Sequence, residues 1–279
     1  MSDAVSPRRL RILVAANIPG GLRGGASRLM GFIGDRLVTA GHEVEYFYAS
    51  AAARYGSRGR WARLAFPLAL LRHVRRAHLA GTPYDIVNAH EPIGAALVRW
   101  RRAAGDPAIV VTTHGVERRA WELALEERRL GRRGPSLKTR LLYPATSLWQ
   151  SALSLRGADH IFCLNEEDRR YLSLWLGPPA PPITRVFPGA DGVFARAAEG
   201  RSYERADRLL FAATWRKNKG IEDLVPAVTA LAEHRPRFSL TVLGGGFPAG
   251  TILSAFPAHL RDRVQCMQAD SDDETAAVF

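Results

Sequence analysis

The stretch 211-FAATWRKNKGIEDL-224 decides the reading of this chain. It begins inside a short apolar run, Leu209–Ala213, that reads as a strand. Arg216, Lys217 and Lys219 follow and Gly220 closes the loop. Beyond it, Ile221–Ala232 spaces Ile221, Leu224, Val225, Val228, Leu231 and Ala232 as one buried helix face. A basic loop between a strand's carboxyl end and a helix N-terminus suits an anion. Backbone N–H groups and the helix dipole point at the ligand, and Lys and Arg add their charge. A solvated surface loop is the alternative reading of the same residues.

The same strand-loop-helix grammar runs outward in both directions. Downstream come a strand at Ser239–Leu243, three glycines at Gly244–Gly246, a helix over Leu253–Asp262, a strand at Val264–Met267 and a helix start at Asp272. Upstream, polar residues Ala197–Asp207 read as an interdomain linker. The expected organisation is a first domain over 1–196, a linker over 197–207 and a second domain over 208–279. The first domain opens with a strand at Arg11–Ala16 and the loop NIPGGLRGGAS. A helix over Ser27–Ala40 follows, ended by Gly41 at the left-handed C′ position, then a strand at His42–Tyr48. This is a doubly wound α/β unit with glycines in its first loop. The glycines do not follow GxGxxG, no acid stands in the ribose position, and GxxxxGK[ST] is absent, which argues against nicotinamide and P-loop enzymes.

Two further strands carry candidate site residues. Tyr84–Ala89 ends in His90-Glu91-Pro92, and Ala108–Thr113 ends in His114-Gly115. Carboxyl ends of parallel strands face the crevice where α/β folds bind ligands, so His90, Glu91 and His114 are site candidates, with Gly115 leaving space beside His114. Glu117–Leu155 is helical, broken at Gly131–Pro135 and Pro144. Its Arg128, Arg129, Arg132 and Arg133 form either a solvated face or an acceptor or membrane contact. A strand at His160–Leu164, a helix with Glu166, Glu167 and Asp168 in its first turn, and a strand at Thr184–Phe187 complete the domain.

Hydrophobic residues make up 47% of the 279, enough for a real core, and the net charge is +12. The charge is almost all arginine, since Lys138, Lys217 and Lys219 are the only lysines, and it is spread without a basic tail. That pattern argues against a nucleic-acid binder and for a smaller anion, a nucleotide or phospholipid, or a membrane surface. Residues 59–80, GRWARLAFPLALLRHVRRAHLA, are apolar on one side and Arg/His-rich on the other, interrupted by Pro67. They either pack on their own sheet or lie on an anionic membrane. No run approaches ~18 apolar residues, so no spanning helix is expected. Cys163 and Cys266 stand far apart without CxxC or His-rich context, which suggests neither disulfide nor zinc and a reducing cytoplasmic setting.

Taken in order, the motifs resemble glycosyltransferase family 4 over nearly the whole length. They are Gly24-Gly25 after the first strand, YDIVNAHEP at Tyr84–Pro92, VVTTHG at Val110–Gly115, LNEEDRRYL at Leu164–Leu172, PGADGVF at Pro188–Phe194, the opening stretch, and LTVLGGG at Leu240–Gly246. The resemblance implies a GT-B α/β fold, two Rossmann-like domains facing a cleft. It implies sugar transfer from a nucleotide-sugar donor to an acceptor hydroxyl with retention of configuration, and neither metal nor cofactor. It assigns Lys219, with Arg216 and Gly220, to the donor diphosphate, Gly24 and Gly25 to its approach from the first domain, Gly245 to the nucleotide, and His114 to the donor sugar. The acceptor, whether glycan, lipid-linked or small molecule, stays open, as does peripheral contact with an anionic inner membrane face.

Two departures stand out. Thr214, followed by Trp215, occupies the place of an expected Arg, for which Arg216 or Lys217 is the candidate substitute. The family's acidic EX7E motif is absent, and about 70 residues follow Leu209, half an ordinary domain. The second domain is therefore expected to be incomplete and the chain alone to turn over poorly, with a non-catalytic binding protein as the alternative function. The run Asp270–Asp273 is similar to a DxD metal clamp of another glycosyltransferase fold, but Ser271 or Asp272 as N-cap and Glu274 in the first turn explain it as a helix start.

Overall fold

The computed structural model describes residues 8–20, 25–100, 105–131, 134–187, 189, 192–199 and 207–279. They divide into two compact units, Met1–Gly189 and Ala190–Phe279.

In the first unit, six strands pair in parallel in the order β2-β1-β3-β4-β5-β6. They are β1 (Arg11–Ala15), β2 (Glu43–Phe47), β3 (Ile86–His90), β4 (Ala108–Thr112), β5 (His160–Cys163) and β6 (Ile183–Arg185). Alternation along β1 sends Leu13 and Ala15 to one face and Ile12 and Val14 to the other. Helix α1 (Gly25–Thr39) covers the second face through Met30 and Leu37. The first face carries the main core, to which α3 (Ala62–Leu79), α7 (Trp149–Arg156) and α8 (Glu166–Leu176) contribute Phe66, Leu70, Leu155 and Leu172. The short helices α2 (Ala49–Ala52) and α4 (Ala95–Trp100) fill the same layer. Between β4 and β5 the chain forms α5 (Glu117–Arg129) and α6 (Leu137–Tyr143), and α6 passes through a π turn at Pro144–Leu148 into α7.

Local chemistry fixes several boundaries. Gly41 takes φ +92°, and the N–H groups of Gly41 and His42 reach the carbonyls of Val38 and Leu37, closing α1 as expected from sequence. Asn165 caps α8 by accepting the Asp168 N–H at 2.7 Å. The buried Asp168 carboxylate takes Arg119 at 2.7 Å, tying α5 to α8. Pro67 does not interrupt α3, and Pro144 does not break the helical run. The Pro67 ring removes one ladder bond, but Phe66, Ala69, Leu70 and Val74 are buried around it. α3 thus packs on its own sheet through these residues, with Leu68 and Leu79 left exposed.

The second unit holds a parallel sheet β7-β8-β9: β7 (Arg208–Ala212), β8 (Ser239–Leu243) and β9 (Val264–Met267). Its core joins Trp215, Val228, Phe238, Leu240, Val242 and Phe256. The unit boundary precedes the expected one. Helix α9 (Gly192–Ala198) packs on α12 (Asp272–Val278), with the Phe194 and Phe279 rings 5.8 Å apart, so it belongs to the second unit. Residues 200–206 of the expected linker lie outside the described residues. The helix expected over Leu253–Asp262 is instead α11 (Ala249–Leu253) and a 3-10 turn at Ala258–Arg263. Pro257 separates them, because a residue preceding proline is driven from helical geometry. Helix α10 (Ile221–His234) follows the opening stretch as read.

Gly157, at the end of α7, is packed so closely that an added Cβ would meet Val98 Cβ of α4 at 2.6 Å. Gly157→Ala is expected to lower unfolding free energy by about 1–3 kcal/mol in chemical denaturation. In a double-mutant cycle, Val98→Gly, which removes the clashing Cβ, should recover part of that loss. Additive effects of the two changes would contradict this packing.

Candidate active site

Because β3 and β4 run parallel in register, His90 pairs with Thr112 at the carboxyl edge of the sheet. Two residues on, His114 returns over the same edge. His90 Nδ1 and His114 Nε2 lie 2.6 Å apart, with the rings stacked at 4.8 Å between centroids. His90 is buried, and its Nε2 has no hydrogen-bond partner. Burial, then the neighbouring His114, holds the His90 pKa down to about 3, and burial also lowers that of His114. Both rings are therefore neutral near pH 7, so one donates and the other accepts across the pair.

Glu91 stands beside this pair. Its Oε1 accepts the Ser151 hydroxyl from α7 and the Glu117 N–H at 3.3 Å from the start of α5. Its Oε2 is buried and unpartnered. Burial pushes the carboxyl up to about 7. Glu117 in turn holds Arg63 at 2.6 Å and the Tyr143 hydroxyl. Burial and the Glu117 carboxylate raise Tyr143 to about 12. His90, Glu91, His114, Glu117 and Arg63 border one cavity of about 260 Å³ that also reaches Asn17 and Met30. Sequence reasoning found three of these residues and missed Asn17, Arg63 and Glu117. Asn17 lies just past β1 and Glu117 is three residues past His114, so both positions were legible from strand ends. Arg63 arrives only through the packing of α3.

Gly25 is the first residue of α1, exposed, and a Cβ added there would meet no atom within 4 Å. The backbone N–H groups of that first turn lack intrahelical acceptors. Gly24, the other glycine named from sequence, lies outside the described residues.

In the second unit, the basic loop leaves β7, makes a 3-10 turn at Lys217–Lys219 and enters α10 at Gly220, whose φ is +78°. Trp215 is buried against Phe211 and Phe256, and its N–H donates to the Gly245 carbonyl at 2.7 Å. This packing use of Trp215 leaves Thr214 exposed beside it. Lys217 pairs with Glu222 of α10. Among the described residues, no carboxylate pairs with Arg216 or Lys219, both exposed at the helix N-terminus. Gly245 has a local reason to be glycine: a Cβ there would meet Ile252 Cδ1 at 2.6 Å. Asp270–Asp273 caps α12, with Ser271 Oγ accepting the Glu274 N–H at 3.1 Å and Glu274 Oε2 accepting the Asp270 N–H at 2.9 Å.

The Glu91 environment has a pH signature. Its folded pKa of about 7 exceeds the ordinary 4.5, so the stability it contributes is full below 4.5 and is lost as pH rises through 7. The lowered His90 acts oppositely, costing stability as pH falls from 6.5 towards 3. Between pH 6.5 and roughly 8, wild type should lose thermal stability relative to Glu91→Gln, because the lowered His90 and His114 affect both proteins alike. Parallel melting curves for the two proteins over that window would contradict the buried, proton-holding carboxyl.

Known proteins share this architecture. The family model for Glycosyltransferase Family 4 matches residues 23–193, more than half of the chain. No curated protein matches the sequence. Among solved structures, a sucrose-phosphate synthase from Thermosynechococcus elongatus is similar at 20% identity and TM-score 0.65, covering 97% of this chain and 73% of that one. The catalytic domain of starch synthase IV from Arabidopsis thaliana, bound to ADP and acarbose, gives 14% identity and TM-score 0.56, covering 97% and 76%. An α-glucosyltransferase in complex with UDP and a 13-mer DNA gives 15% and 0.54, covering 97% and 70%. At these identities the structures speak for the fold, that of the GT-B glycosyltransferases, and the sequence match speaks for kinship: the chain belongs to glycosyltransferase family 4.

Proposed function

We propose that the chain transfers a sugar from a nucleotide-sugar donor to an acceptor hydroxyl, with retention of configuration and without a metal. The observation that carries this is the pair of exposed cations, Arg216 and Lys219, unmatched by carboxylate among the described residues and set at the N-terminus of α10. In the transfer, the bond from the anomeric carbon to the diphosphate breaks, its electron pair leaves on the diphosphate, a bond forms to the acceptor oxygen, and the acceptor's proton passes to the departing diphosphate. The diphosphate gains charge in that step. Fixed cations and helix N–H groups are suited to stabilise it, since they need no reorganisation as the charge develops. His114, neutral beside His90, hydrogen-bonds the donor sugar without repelling the positive charge at the anomeric carbon. Two free cysteines, Cys163 buried and Cys266 half-buried, suit a reducing compartment such as the cytoplasm. Among the described residues, no helix is long and apolar enough to cross a membrane.

Calorimetric titration with UDP, ADP and GDP tests the diphosphate grip. At least one should bind, and Lys219→Ala should weaken it about 10-fold or more, the scale of one charge-assisted hydrogen bond. Equal affinity of wild type and Lys219→Ala would sink the role of Lys219. Release of nucleoside diphosphate from donor sugars, lowered by His114→Ala, tests the transfer itself. Binding without transfer to any acceptor would favour a binding protein.

A further inference from the structure

The segment joining β4 to β5 carries an exposed apolar and basic surface outside the cavity of His90 and Glu91. Helices α5 and α6 contain no fully buried residue. On them and the turn between, Leu130 is 64% exposed, Leu137 and Leu141 68% each, and Leu142 52%. Exposed leucines scattered singly are ordinary, but four within 13 residues, on a short helix and the turn before it, are not. Past Glu126 and Glu127, the last acids of α5, the charge is one-sided. Residues 128–142, RRLGRRGPSLKTRLL, hold six basic side chains and no acid. Arg128 and Arg129 of α5 and Arg140 of α6 border one groove of about 250 Å³, so the two helices bring their cations together. Arg129 reaches Glu126 at 3.2 Å and Arg128 the Pro135 carbonyl, while no ion pair holds Lys138 or Arg140 among the described residues. Helix α3, whose sequence also reads as amphipathic, buries Phe66, Leu70 and Val74 and leaves Leu68 and Leu79 exposed, so its apolar residues are divided, whereas no residue of α5 or α6 is buried.

We propose that the basic end of α5, with Leu130 after it, and helix α6 dock the protein on an anionic lipid bilayer. Both halves of the chemistry point there. Clustered Lys and Arg are drawn to anionic headgroups, and the leucines among them enter the headgroup–acyl boundary, which a nucleic acid would leave unsatisfied. The surface lies wholly within the first unit and is independent of the reading of the sugar site. If that reading failed, the surface would be unchanged.

The test is cosedimentation of the full chain with vesicles of phosphatidylcholine, with and without phosphatidylglycerol, beside a duplex-DNA binding assay. Wild type is expected to bind the anionic vesicles and not the neutral ones. The triple change Arg129→Gln, Lys138→Gln and Arg140→Gln should lower partitioning about 100-fold, at roughly fivefold per charge near the surface. Leu137→Ser with Leu141→Ser, which keeps every charge, should lower it as well. Unchanged melting temperatures would show that these exposed substitutions leave the fold intact. Equal binding to neutral vesicles, no vesicle binding, or duplex-DNA binding with a serine variant that partitions like wild type would each overturn the proposal.

Discussion

Parallel pairing of β3 with β4 sets His90 opposite Thr112, and the candidate site of the first unit depends on that register. A slip of one residue would turn every side chain of β3 to the other face. Ala89 and Val87 would leave the core, and His90 would lose its place beside His114. The apolar residues that secure the sheet therefore also hold the polar edge. The edge is assembled from chain ends, because a parallel sheet brings all its carboxyl termini to one side. Loops leaving β1, β3 and β4 contribute Asn17, Glu91 and His114, and α3 and α5 close around them with Arg63 and Glu117.

The site keeps polar atoms where burial is costly. An unpaired buried donor or acceptor costs about 1–3 kcal/mol, yet His90 Nε2 and Glu91 Oε2 both lack partners. The same burial that leaves them unpaired keeps His90 neutral and favours the protonated form of Glu91. The result in the first unit is a neutral imidazole pair and a proton-holding carboxyl beside the Arg63–Glu117 ion pair. In the second, Arg216 and Lys219 stand as exposed cations on a loop pinned by the buried Trp215.

Much of this is legible in the sequence because it rests on local signals. Strand cores such as Ile109–Val111, the glycine stop at Gly41, the Asn165 and Ser271 caps and the strand-end histidines are each specified within a few residues. Local signals mislead where distant packing overrules them. Pro67 reads as a break, but burial of its neighbours carries α3 through it. The polar stretch before β7 reads as linker from Ala197, although α9 is held to the second unit by Phe279, more than eighty residues on. Arg63 is invisible for the same reason, since nothing near it in sequence points to Glu117. The exposed leucines of α6 are hidden by their helical spacing, which fits a buried face equally well. Only the fold shows which apolar stripes are covered.

The paired neutral imidazoles are the centre of this account, and the nitrogen resonances of His90 and His114, followed by NMR from acidic to neutral pH, test it most directly. The account predicts that His90 stays neutral, without a titration step, down to about pH 5, and that adding a nucleotide-sugar moves the His114 ring signals. A His90 ring that titrates near its ordinary value of 6.5, with His114 indifferent to the donor, would contradict it.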